Sequence, residues 1–541
     1  MRIIVAFLLG GLLASQQPQT VRVNVRLVQV SVVARNSAGE PLTDLTQDDF
    51  EILDNGKSQA IRFFALETRS ASPVVPVPLP EQVFSNRTEN KVTTAPGVTI
   101  VLFDLLNTHF TDQVYAKKQL IRVLQQIQPG QRIGVYVLGR EVTVLHDFTD
   151  NPAQLAAVLR RFEGREPHEL TGAERNQQDR TANLSAANGK FAEVDKPLKG
   201  AKNVEQDYFN VDRATITFKA FESIANHIAP APGRKSLVWI SGSFPFTLGV
   251  TQKDFESLAA DSPNRERGSF QVLFDLAMRA VTNADLAIYP VDARGLILPT
   301  GYDAVNSAGS LRDSTGNAQA PEPPNLDTMR NLANKSGGRA FFNTNDLESA
   351  ISTALDDSRV TYTLGFYPTS EPDNKFHTLN VQVRRKGVSL CYRQGYLALT
   401  PSSGDADSKA QLQEALASPV DAAAIGITVK VEHPQSTLED WGLITNIDPH
   451  DLATEGQGEK RVGHLQIVYS VQTETGKELG GILDSVNLDL KPEIWSQIIA
   501  KGLVLRKRFN PPRGASKVRI AVYDLSTGRI GSVSVPLNLA N

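Results

Sequence analysis

One carboxylate and a handful of hydroxyl and amide groups stand where apolar segments of this chain end. Asp104 interrupts the run Val98 to Leu106 and is followed by Asn107 and Thr108. Oxygen donors of this kind are the ligands of hard divalent cations. Mg²⁺ asks for near-octahedral oxygen ligation, usually with one or two carboxylates. With Asp104 as the single carboxylate, a cation is expected to bind weakly and to complete its shell with water or a partner's carboxylate. Asn107 can lend a carbonyl oxygen, and Asp112 a second charge if the loop folds back. The competing reading, and the preferred one, has Asp104 accepting backbone N–H bonds at the start of the next helix.

Other chemistries find no support. The chain has no Gly-x-Ser-x-Gly elbow, no His-Glu-x-x-His helix and no Gly-x-x-x-x-Gly-Lys loop. Its eight histidines are scattered; His109, His146 and His227 are each alone in their segments. A catalytic His needs an orienting group, so isolated ones read as structural. Cys391 is the single cysteine, which excludes an intrachain disulfide, and it lies in an alternating strand pattern as a buried thiol. Arg384-Arg385-Lys386 and Arg506-Lys507-Arg508 read as solvated strand ends.

The elements that must position these residues follow from periodicity. Residues 20–66 read as β structure, with Asn55-Gly56 as a hairpin turn. Residues 67–97, rich in proline, read as a linker. Over 98–357 strands alternate with helices: strands at 98–106, 132–138, 142–148, 236–241, 286–292 and 339–342, and helices at 111–126, 151–163, 214–228, 266–283, 326–336 and 346–357. That alternation implies a doubly wound, Rossmann-like sheet with the 98–106 strand central and buried on both faces. Residues 358–400 return to β structure and are expected to pack with 20–66. Residues 401–424 read as a linker, and 425–541 as an independent Ig- or fibronectin-like β-sandwich with strands at 426–432, 464–472, 482–489, 517–524 and 530–537.

The central region resembles a von Willebrand factor A domain. In that family a strand ends in Asp-x-Ser-x-Ser, a distant loop supplies Thr, a later strand ends in Asp, and together they hold one divalent cation. Asp104 matches the family Asp, Thr108 the second Ser and Thr215 the Thr. Leu106 replaces the first Ser, and Ser241 stands where the last Asp belongs, so the resemblance implies a degraded metal site. Tyr362 to Pro368, Arg393 to Tyr396 and Pro232 to Lys235 are similar to motifs of exported acidobacterial proteins of the VWFA-related family, which brings no activity with it.

Across 541 residues, 41% hydrophobic and 21% charged with net charge −3, nothing points to nucleic acid. Arg2 and the apolar run Ile3 to Ala14 read as a signal peptide over 1–15, and no later segment reads as a transmembrane anchor. Long polar stretches after the strand ends, at 163–207, 243–262 and 294–324, are expected to gather at the carboxyl edge of the sheet. Ligands bind at that edge in open α/β folds, with Asn107, Ser243 and Arg294 among the edge residues. The expectation is therefore an exported, non-enzymatic protein, periplasmic, cell-surface or extracellular. It binds a protein or surface ligand through that edge, with no cofactor or at most weakly held Mg²⁺. An exported hydrolase of another type and a structural envelope scaffold are the alternatives.

Overall fold

The computed structural model describes residues 27–68, 79–87, 97–126, 131–165, 167, 195–231, 233–242, 244, 267–295, 324–342, 344, 346–357, 359–370, 373, 375–398, 405–433, 440–457 and 460–537. The leader at 1–15 lies outside these residues, as do most of the stretches 163–207, 243–262 and 294–324.

The chain opens with β1 (Val28–Arg35), β2 (Phe50–Asp54), β3 (Lys57–Gln59) and β4 (Ile61–Thr68). Asn55 and Gly56 both have positive φ, 48° and 80°, as a two-residue turn between right-twisted strands requires. A short strand, β5 (Val83–Ser85), follows in the stretch read as a linker.

The central sheet contains β6 (Thr99–Asp104), β7 (Ile133–Leu138), β8 (Val142–Thr149), β9 (Lys235–Ser241) and β10 (Leu286–Asp292), in the order β10-β9-β6-β7-β8. β6 is central and parallel to both neighbours, and β8 alone runs antiparallel at the border. Every residue of β6, β7, β9 and β10 is buried. Helices α1 (Phe110–Gln126), α2 (Pro152–Arg161), α3 (Asp195–Ile228), α4 (Arg267–Asn283), α5 (Pro324–Ser336) and α6 (Leu347–Asp356) cover the sheet. α3, α4 and α5 share one core with Leu102, Tyr136 and Trp239; α1, α2 and α6 share another with Val101, Val135 and Tyr289. Covering both faces is what lets a strand be apolar at every position.

Beyond it lie β11 (Val360–Phe366), β12 (Phe376–Val383), β13 (Ser389–Cys391) and β14 (Gly395–Leu397). β1 pairs with β11 and β13, and β2 pairs with β12, giving two four-stranded sheets, β13-β1-β11-β4 and β14-β12-β2-β3. Val30, Ile52, Leu364 and Val381 from both ends of the chain meet in one core.

The remainder holds α7 (Asp405–Ala417), β15 (Ile427–Glu432), β16 (Trp441–Ile447), β17 (Glu455–Gln457), β18 (Lys460–Gln472), β19 (Glu478–Leu490), α8 (Pro492–Lys501), β20 (Leu503–Phe509), β21 (Lys517–Asp524) and β22 (Ile530–Pro536). Two antiparallel sheets enclose a core of Val429, Leu465, Ile467, Val518, Ile520 and Val522. The protein is thus mixed α/β with several antiparallel sheets.

Five sequence expectations change. The linker at 67–97 supplies β5, which pairs with β15; Asn86 donates to the carbonyls of Ala422 and Ile425 and accepts from Ile427 N, fixing it there. The linker at 401–424 contains α7, whose Leu412 and Ala415 cover Ala521 and Tyr523 on the outer face of β21. The C-terminal region is therefore not independent: Ala423 N donates to Asn226 O at 2.8 Å, and His227 Nδ1 meets Asp421 O at 2.7 Å. Residues 195–213 are helical and form the first part of α3, in a stretch read largely as a polar insertion. The strand at 339–342 shrinks to one bridge, Val291 to Phe341.

Candidate functional site

The site residues lie where β6 and β9 end side by side. Both strands run the same way, so Asp104 and Ser241 leave the sheet at its carboxyl edge. Alternation puts Trp239 and Ser241 on one face of β9. The loop 105–108 then folds back over Asp104.

The result is a closed network. Asp104 Oδ1 accepts from Asn107 N at 2.9 Å. Its Oδ2 accepts from Asn107 Nδ2 at 2.8 Å, Trp239 Nε1 at 2.9 Å and Ser241 Oγ at 2.9 Å. Asn107 is bound on both sides: its Nδ2 also reaches Thr217 Oγ1 at 3.0 Å, and its Oδ1 accepts from Arg213 Nε at 2.9 Å. Thr217 Oγ1 donates onward to Arg213 O at 2.8 Å, one turn back along α3. Thr108 Oγ1 accepts from Gly242 N at 2.8 Å. That contact needs the loop and β9 to approach closely; a Cβ on Gly242 would lie 3.1 Å from Asn107 O and 3.2 Å from Thr108 Cα.

Electrostatics follow from burial. Asp104, Ser241 and Thr217 are 0% exposed, and Asn107 and Thr108 are 1%. Burial raises the Asp104 carboxyl above its ordinary range, while the bonds from Asn107, Ser241 and Trp239 oppose that rise. The nearest cation in the network, the buried Arg213 guanidinium, acts through the Asn107 amide. Trp239 is held by edge contacts with Phe221 and Phe244, centroids 5.1 and 5.9 Å away.

A divalent cation does not fit this donor set. Each carboxylate oxygen offers about two lone-pair positions, and Asp104 Oδ2 already accepts three hydrogen bonds while Oδ1 accepts one from the Asn107 main chain. Ser241 and Asn107 present donors to it where a cation would need oxygens. Among the described residues, no group of three or more His, Cys, Asp or Glu is gathered to hold a metal.

The proposed ligands and edge residues are thus partly reassigned. Asp104, Asn107, Thr108 and Ser241 do come together, but as a buried hydrogen-bonded unit rather than at an open rim. Thr215 is not part of it: its hydroxyl donates to Val211 O at 2.9 Å within α3, and Thr217 faces the site instead. Asn107 is corrected from an edge residue to an interior one. Ser243 lies outside the described residues. Arg294 stays near the edge, where it folds back onto Asp292 through two bonds of 2.9 and 2.8 Å.

Sequence reasoning missed Trp239 as a partner of Asp104, and Arg213 and Thr217 as partners of Asn107. The available signals were the two-residue spacing of Trp239 and Ser241 and the four-residue spacing of Arg213 and Thr217 on a helix. Two apolar side chains are exposed on the same edge, Phe110 at 45% and Val114 at 54%, one turn apart at the start of α1 and beside the exposed polar residues Thr111 and Arg140.

Two motifs used for the family resemblance turn out to act at the opposite edge. Arg234 donates to Ser31 O, Tyr289 Oη and Gly337 O, joining β1 to the α/β region. Arg393 donates to Gln29 O and Thr282 O across the same joint, and Arg35 forms a buried ion pair with Asp357.

No family model matches the sequence, and no curated protein matches it. Among solved structures, the chain is similar to a von Willebrand factor type A protein from Catenulispora acidiphila. That likeness is 8% identical, covers 63% of this chain and 74% of the other, and has a TM-score of 0.23. It is also similar to an aerotolerance-related membrane protein from Bacteroides fragilis (14% identity, 48% and 98% covered, TM-score 0.24). A third is the conserved hypothetical protein BatB from Bacteroides thetaiotaomicron (14%, 49% and 98%, 0.22). Overlaps of this size carry no argument of their own; the case rests on strand order and on the residues around Asp104.

Proposed function

We propose that this chain is an exported, non-enzymatic binding protein of the von Willebrand factor A type. In this reading a doubly wound domain is flanked by β-sandwich modules and recognises a protein or surface ligand without a metal. The observation that carries the metal-independent part is the saturation of Asp104 by four donors from its own fold. Strand order β10-β9-β6-β7-β8, with helices on both faces, supports the domain type. Export rests on the apolar run Ile3 to Ala14 and is consistent with the lack of a membrane-spanning helix among the described residues.

The recognition surface in this reading is the carboxyl edge of the sheet at Phe110 and Val114. Large apolar groups exposed beside one another are the usual centre of a protein contact. For the non-enzymatic reading, His146 and His227 meet main-chain carbonyls, and His377, although oriented by Asp54 and Asp373, is buried at 4% exposure. A scaffold role is the second reading, favoured by the arginine joint and by β5, which tie three regions of the chain together.

Retention on envelope fractions of the producing cell, with and without EDTA, separates these readings. Binding should survive EDTA and fall at least about tenfold in a Phe110→Asp/Val114→Asp double variant, as loss of a contact centre predicts. Binding abolished by EDTA overturns the metal-free reading. Full binding by the double variant overturns the edge assignment.

A further inference from the structure

The C-terminal region meets α3 along a seam that brings two partly buried carboxylates into one cavity. Glu222, Ser223 and Asn226 of α3 and Gln411, Glu414 and Ala415 of α7 line one cavity of about 20 Å³, closed by Ser418 and the residues after it. That is room for about one water molecule. Ser223 Oγ meets Ser418 Oγ at 3.1 Å, and the bonds from Ala423 to Asn226 and from His227 to Asp421 continue the seam.

Charge in the cavity is poorly compensated. The Oε1 atom of Glu414 is buried with no hydrogen-bond partner, and its nearest cation, Lys219 Nζ, is 3.9 Å away with its side chain half exposed. Arg279 of α4 also faces Glu222, whereas Glu414 opposes it from α7. Farther along, Arg519 of β21 is taken up by Val420 O and Asp421. Two like charges lining one cavity, with Lys219 and Arg279 as the cations that offset them, repel, and each also loses part of its hydration.

We propose that the α3–α7 seam is a proton-controlled joint. The Glu222–Glu414 pair holds the C-terminal region against the α/β region while it keeps a proton, and loosens that hold when both carboxylates ionise.

The direction of the pH effect follows by linkage. Burial first, and then the Glu414 charge, raises Glu222 from 4.5 to about 7; burial raises Glu414 as well. With the seam open, Glu222 on the surface of α3 returns to its ordinary range. The closed seam therefore binds protons more tightly than the open one. Closure is favoured fully below about pH 4.5 and weakens as the pH rises through about 7. A carboxyl raised from 4.5 to about 7 corresponds to a change in the closing equilibrium of up to about 300-fold.

Hydrogen exchange of the full-length protein, corrected for intrinsic rates and read between pH 5 and 8.5, tests this. Protection of peptides spanning α7 and 418–423 should fall by one to two orders of magnitude as the pH rises, while β6 and β16 stay protected. In Glu222→Gln the same peptides should be as protected as wild type at pH 5 and remain so at pH 8.5. Glu414→Gln gives a second route to the same flattening if Glu222→Gln does not fold. Flat protection in the wild type, an undiminished fall in either folded variant, or a parallel fall in β6 and β16 would each overturn the joint.

Discussion

Replacing Ser241 by alanine removes one oxygen and leaves the strand intact. The Ser241 hydroxyl donates to Asp104 Oδ2 at 2.9 Å, and neither residue has exposed surface. A hydrogen bond to a charged group contributes about 1.5–3 kcal/mol. Water cannot substitute cheaply, because Trp239 and Asn107 already crowd the same oxygen. In a region of this size 1 kcal/mol moves the midpoint by roughly 2–4 °C, so Ser241→Ala should lower it by roughly 3–12 °C. The Asp104 carboxyl, already raised by burial, loses one of its opposing bonds and should rise further. Because an acid raised on folding stabilises below its unfolded value and loses that contribution as the pH rises, the deficit of Ser241→Ala should be larger at pH 8 than at pH 4. Calorimetry of wild type and variant, each in EDTA and in excess MgCl₂, is the assay. Metal should change neither midpoint. A variant within about 0.5 kcal/mol of wild type, or a wild-type midpoint that Mg²⁺ raises and the variant's does not, would refute the closed-network account; ligand linkage requires such a rise if Ser241 were a ligand.

Thr215→Ala should be nearly silent, within about 0.5 kcal/mol, since its hydroxyl only bonds back to its own helix. Thr217→Ala strips a partner from Asn107 and should cost about 1–3 kcal/mol by denaturant titration. Arg35→Met leaves Asp357, whose side chain is fully buried, without its ion-pair partner and should destabilise by about 3–5 kcal/mol, read by thermal unfolding. Asn86→Ala breaks three bonds to Ala422, Ile425 and Ile427. It should speed hydrogen exchange in β15 while leaving β6 protected.

Much of the secondary structure could be read because apolar period and strand burial are local properties. The β6, β9 and β10 segments were recognisable as continuous apolar runs, and the Asn55-Gly56 turn by the two positive φ angles it needs. β5 and α7 were not recognisable. Val83–Ser85 is three residues among prolines and polar side chains, and it is a strand only because β15 offers it an edge. α7 shows little apolar periodicity of its own, and packing on β21 supplies the stabilisation that propensity does not.

The site divides along the same line. The family resemblance, position by position, singled out Asp104, Thr108 and Ser241 at the strand ends with Asn107 beside them, and implied a degraded metal site. Whether those groups face solvent, a cation or one another depends on which strands are neighbours and how far the loop folds back. The parallel pairing of β6 with β9 brings the Trp239 indole and the Ser241 hydroxyl to one oxygen of Asp104, and the helical phase of α3 turns Thr217 inward and Thr215 away. Hydrogen bonds act over about 3 Å, whereas Asp104 and Ser241 are 137 positions apart. No pattern within either segment encodes that distance; packing of the whole sheet sets it.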